Sequence, residues 1–139
     1  DFEKLVAEMP QTKKLKLDIE KLSKTYQDEI EGMAKKLDAK TKKYTAEQNA
    51  QTKEINEIRA LEVQQESARF DQLRQTAYQE MQKKQRDGLE PIVEIARKAI
   101  EEIAASKGIL YVLDGSVNKG LLVKKGEDLF ADVKTKLGF

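Results

Sequence analysis

Apolar residues recur every eleven positions along much of this chain. Leu15, Tyr26 and Leu37 form one such line, Ile19 and Ile30 a second, and Leu22, Met33 and Tyr44 a third. Further along, Phe70, Met81, Ile92 and Ile103 repeat the spacing beside Ala77, Gly88 and Ala99. A heptad started at Leu15 and Ile19 would put Glu29, Lys36, Lys40, Lys43 and Glu47 into the seam, so the eleven-residue period is the better description. Eleven residues in three turns is about 3.67 per turn, close to the unstrained helix, so helices paired along such a stripe stay nearly straight.

Between Gln11 and Ser106 only Gly32, Gly88 and Pro91 interrupt good helix formers. With 37% charged residues, 6% aromatic residues and a mean hydropathy of -0.70, the chain lacks material for a conventional globular core. Most of it must be helix that packs along one stripe. The segment AEQNAQTKEINEIRA is poorest in apolar residues, and Asn49, Thr52 and Asn56 suit helix caps. The reversal of an αα-hairpin is therefore expected near residues 48–56, with an outgoing helix roughly 50 Å long. A continuous helix in a parallel coiled coil is the alternative. The expected division is a helical-hairpin arm over residues 11–88 and an oligomerisation body built from residues 1–10 and 89–139.

Beyond Gly88 a second stripe, Leu89, Val93, Ala96, Ile100 and Ala104, joins the line of Ile92, Ile95, Ala99 and Ile103. Such a wide apolar arc is buried on more than one side. Pro91 lacks the N–H that would bond to Asp87, and Gly88 eases bending, so Gly88 and Pro91 are read as a hinge. ILYVLD and LLV, on either side of GSVNKG, read as the strands of a β-hairpin. An isolated hairpin is marginal in water, and one face of this one has no cover within the chain. Ile109, Tyr111, Leu113, Leu121 and Val123 are accordingly expected at an interface with other copies. The tail GEDLFADVKTKLGF reads as a short helix with Glu127 or Asp128 as cap and Gly138 as stop. The fold class is thus mainly α with a small β body.

Much chemistry is excluded. With no His and no Cys, the common zinc sites and every His- or Cys-dependent triad are absent, and no metal or cofactor is expected. GSVNKG lacks the spacing of a phosphate-binding loop. Glu101/Glu102 and Glu127/Asp128 suit solvated or helix-terminal carboxylates better than acid–base work, so no catalytic residue is assigned. A net charge of +1 gives no support for nucleic-acid binding. Only the lysine pairs 13/14, 35/36, 42/43, 83/84 and 124/125 favour anionic partners, which leaves peripheral contact with a membrane surface open.

The ordered set of MP before a long charged hairpin, then LEPIVEIARKAIEEIA, YVLDGS followed by LLV, and GEDL followed by VKTKLG resembles the Skp/OmpH family of periplasmic chaperones. The resemblance covers essentially the whole chain. It implies a homotrimer with a small β-rich body and helical arms around a cavity, holding unfolded outer-membrane proteins in the periplasm without ATP. It also implies a further strand ahead of FEKLVAEMP, so residues are expected to precede Asp1. A structural coiled-coil spacer or adaptor is the alternative function. For a holding chaperone, seam residues are occupied in joining the helices, so off-seam Leu17, Leu61 and Val63 are the candidate client contacts.

Overall fold

The computed structural model describes residues 1–117, 119–121 and 123–139. Its helices are α1 (Phe2–Glu8), α2 (Pro10–Glu47), α3 (Lys53–Ser106) and α4 (Phe130–Leu137), with a 3-10 turn at Gln48–Ala50 between α2 and α3. The first helix starts where the Asp1 side chain accepts the Lys4 N–H at 2.9 Å. It stops at Met9, whose ψ of 136° is the extended backbone favoured before a proline. Pro10 then opens α2, where its missing N–H is no loss. The Thr12 hydroxyl donates to the Val6 carbonyl at 2.5 Å and pins the corner.

The chain divides into two compact units, residues 1–18 with 84–139, and residues 19–83. The core of the first gathers Leu5, Val6 and Met9 from the α1 region, Ile92, Ala96 and Ala99 from α3, and Leu129 and Val133 from the α4 region. The wide apolar arc of α3 is what makes this possible, since α1 and α4 need different flanks of it. Ile95, expected on the seam, remains 43% exposed, because Ala96 and Ala99 take the covered side of α3. Three ion pairs fasten α4 to this unit, Lys134 to Glu8 at 2.6 Å, Lys136 to Glu102 at 2.5 Å and Lys107 to Asp132 at 2.6 Å. Helix α4 ends at Gly138, whose φ of 81° is left-handed. The cap of α4 is Leu129, which offers no side-chain bond, and not Glu127 or Asp128 as expected; Asp128, one residue earlier, accepts the Phe130 N–H at 2.9 Å.

In the second unit α2 and α3 run antiparallel. Lys40 meets Glu62 and Glu66, whereas Glu47, further along α2, meets Arg59, earlier in α3. That order excludes a single continuous helix. The α2 seam residues Ile19, Leu22, Tyr26, Ile30, Met33, Leu37 and Tyr44 are half-buried, as are Phe70, Leu73 and Met81 on α3, with Ala77 fully buried.

The β-hairpin of the body is not formed: the described residues contain no β-strand. Helix α3 closes at Gly108, φ 67°, with the Ile109 N–H returning to the Ala104 carbonyl at 2.9 Å. Ile109 packs against the core. The following residues leave the helix without pairing, and Leu110, Tyr111, Val112 and Leu113 are 88%, 83%, 45% and 71% exposed. A ladder needs a second edge, and a lone two-stranded pair is marginal in water even when one is near. The expected second strand, residues 121–123, includes Leu122, which lies outside the described residues, as does Asn118 of the expected loop. Among the described residues the fold is therefore mainly α, with no β-strand.

Helix α3 passes through Gly88 and Pro91 as one helix. Gly88 lies against Leu15 of α2, whose Cδ2 would stand 2.9 Å from a β-carbon there. Gly88→Ala should therefore require the flexible end of the half-buried Leu15 side chain to shift, a small cost that leaves most of the gain in helix propensity, about 1 kcal/mol. Urea denaturation of the variant checks it.

Candidate functional site

No cleft with convergent catalytic groups is present among the described residues, and no group of acidic side chains there could hold a metal ion. The features that can do something are apolar surfaces. The larger one is the extended run after α3, which is anchored at both ends and bare between them. At its far end the Asp114 carboxylate accepts the Phe2 N–H at 3.0 Å and the Ser116 N–H at 2.9 Å. The Ser116 hydroxyl donates to the same carboxylate at 2.6 Å and accepts the Glu3 N–H at 3.3 Å. Ser116 is buried, so this loop is docked onto the start of α1. Beside the run lies an open groove whose walls include Phe2, Ile100, Ala104, Ile109, Leu121 and Val133.

The Ser116 hydroxyl is the main reason that the Asp114 carboxyl is held down to about 2, with the Phe2 and Ser116 N–H groups adding to it against partial burial. A carboxyl depressed in the folded state stabilises above its unfolded value of 3.8, and that contribution is lost as pH falls from there towards about 2. Amide hydrogen exchange at Phe2 and Ser116 should thus accelerate across this acid window beyond its intrinsic change. In Asp114→Asn that step should disappear.

Of the residues expected at an interface, Tyr111, Leu113 and Val123 are exposed, Val123 by 63%, while Ile109 and Leu121 are half-buried. Leu17 and Leu61 stand off the helix surfaces at 56% and 54% exposure, whereas Val63 is half-buried. Sequence reasoning passed over Ile58 and Tyr78, which are 67% and 65% exposed. It also set Lys40 and Glu47 aside as unfit for a seam, yet both are half-buried, paired with Glu62, Glu66 and Arg59. The readable signal was complementary charge, Lys40 and Glu47 on one helix against Arg59, Glu62 and Glu66 on the other.

The family model described as Outer membrane protein (OmpH-like) matches residues 1–137. The chain belongs to the OmpH-like family. No curated protein matches it. OmpH-like proteins are periplasmic chaperones of outer-membrane proteins and are not known as enzymes. Among the described residues of this OmpH-like chain, no helix is long and apolar enough to cross a membrane. The match extends over the extended run and α4, so the exposed apolar surface beyond Gly108 lies within the matched residues.

Proposed function

We propose that this OmpH-like chain holds unfolded outer-membrane proteins without ATP, as an assembly of several copies in the periplasm. The observation that carries the reading is the set of large apolar side chains standing singly among charges on α2 and α3, led by Leu17 and Leu61. Isolated apolar residues on a charged surface bind a collapsed partner too weakly to bury it. Repeated over several copies, they hold an extended apolar chain by many weak contacts acting together. Holding of this kind needs no nucleotide. Assembly is assigned to the run from Ile109 to Leu113 together with Leu121 and Val123, and three copies is the number that the family resemblance implies. Flexing at Gly88 and Pro91 belongs to the same proposal. Pro91→Ala is its cleaner test, because Gly88 also packs on Leu15.

The test of client contact is a pair of substitutions, Leu17→Ser and Leu61→Ser, assayed for suppression of aggregation of an unfolded outer-membrane β-barrel. Helix content and assembly should be unchanged while holding weakens several-fold. Val63→Ser is the control, since a half-buried residue should lower stability before it affects holding. Full holding by a well-folded Leu17→Ser, Leu61→Ser variant would move the client surface elsewhere. Were it to lie in the lysine pairs, holding would fall steeply with added salt.

A further inference from the structure

The seam of the second unit is a single layer. Two helices side by side cover each other along one stripe and leave its margins to solvent, so of the seam residues named above only Ala77 is fully buried. Two of the others are methionines. Met33 lies between Leu22 and Tyr44 on one eleven-residue line of α2, and Met81 follows Phe70 on a line of α3; both are half-buried. The Lys40–Glu66 pair fixes their level in the antiparallel pairing. Seven residues back from Lys40 and seven on from Glu66 bring Met33 level with Leu73, and fifteen residues each way bring Met81 within one residue of the level of Tyr26. Each methionine is thus a packing residue that water can reach. The third is not, because Met9 is 0% exposed in the core of the other unit.

The chain has no cysteine and no tryptophan, so its three methionines are the side chains that a hydroperoxide oxidises most readily. We propose that Met33 and Met81 are oxidation sites through which a hydroperoxide loosens the α2–α3 seam while the core around Met9 is spared. The thioether sulfur attacks one oxygen of hydrogen peroxide. An S–O bond forms, the O–O bond breaks, and the second oxygen leaves as water after taking up the proton of the first. The sulfur loses two electrons and the peroxide gains them. A flexible apolar side chain thereby becomes a polar one, whose oxygen is stabilised by water and not by an apolar neighbour. In this seam the apolar contacts lie in one line, so a residue drawn out towards water leaves no second layer to keep the helices together. Met9 reacts only when its core opens. Sulfoxide reductases undo the step, which makes the change reversible. None of this depends on the holding function.

The full chain is treated with hydrogen peroxide under native conditions and its peptides are followed by mass spectrometry, with amide hydrogen exchange measured before and after. Met33 and Met81 should each gain one oxygen about tenfold faster than Met9. Exchange should then accelerate about tenfold across residues 19–47 and 67–83 and stay unchanged around Met9. Methionine sulfoxide reductases should restore the slow exchange in the same sample. A variant with Met33→Leu and Met81→Leu keeps the size and apolar character of both positions, and its exchange should not respond to peroxide. Equal oxidation rates at all three methionines would overturn the proposal. So would unchanged exchange in a chain that carries both sulfoxides, or an equal acceleration by peroxide in the leucine variant.

Discussion

Leu113→Asp should give a chain that folds as before and no longer assembles. In the single chain Leu113 is 71% exposed, so a carboxylate there remains in water and should change folding stability by no more than about 0.5 kcal/mol. In an assembly that covers the run from Ile109 to Leu113, the same carboxylate would be buried without a partner at a cost of several kcal/mol. The apolar contribution of one leucine, about 1.5–3 kcal/mol, would be lost as well. At about 1.4 kcal/mol per factor of ten, association should weaken at least about a thousandfold. Sedimentation equilibrium at micromolar concentration, with circular dichroism alongside, reads both halves of the expectation. An unsubstituted chain that sediments as a stable folded monomer would remove the assembly role of this segment.

The second large effect lies at the corner between α1 and α2. Met9 is fully buried, in the core where α1, α3 and the α4 region converge. Met9→Ala should destabilise the unit of residues 1–18 and 84–139 by about 2–5 kcal/mol, because the surrounding side chains collapse only in part into the space. That unit is small, and a loss of this size is a large share of the stability of a small domain. Urea denaturation should show an early transition for this unit. The aromatic and apolar residues that lean on the same core, Phe2 and Ile109 among them, would be released with it. Assembly should then fail for a different reason than in Leu113→Asp, with loss of helix signal as the distinguishing mark.

The helical hairpin was legible because its period is close to the natural turn of a helix. Leu15, Ile19, Leu22 and their eleven-residue successors on α2 are half-buried where the stripe places them. The short terminal helix was legible from its apolar face and from Gly138, which ends it, while its start falls at Leu129, one residue past the expected Asp128. Helix α1 was not foreseen. Its signals, Asp1 as cap and Met9 before Pro10, are two local stops around only seven residues, too few to show a period. The run from Ile109 to Leu113 was read as a covered strand, since five apolar residues in a row call for cover on both faces. Local sequence states that need without saying what meets it, and among the described residues only Ile109 of the run finds cover. The polar contacts near the turn were missed for the opposite reason. Arg59, Glu62 and Glu66 stand eleven residues before Phe70, Leu73 and Ala77 and so continue the α3 stripe, but an apolar period does not count charged residues, even where complementary charges let them occupy an interface. The proposed client contacts rest on position off the stripe, a criterion that selects Leu17 and Leu61, which are exposed, and Val63, which is half-buried.

Holding without nucleotide is decided by whether an unfolded client aggregates in the presence of the chain. An outer-membrane β-barrel protein, unfolded in urea, is diluted into buffer with this chain and no ATP, and light scattering is followed beside a folded globular control that neither aggregates nor suppresses aggregation. Scattering should stay near baseline once assembled chain matches client in molar amount, and the client should be recovered in a soluble complex with it. Aggregation at the rate seen without the chain, from an assembled and fully helical preparation, would contradict the account and leave a spacer or adaptor as the better description.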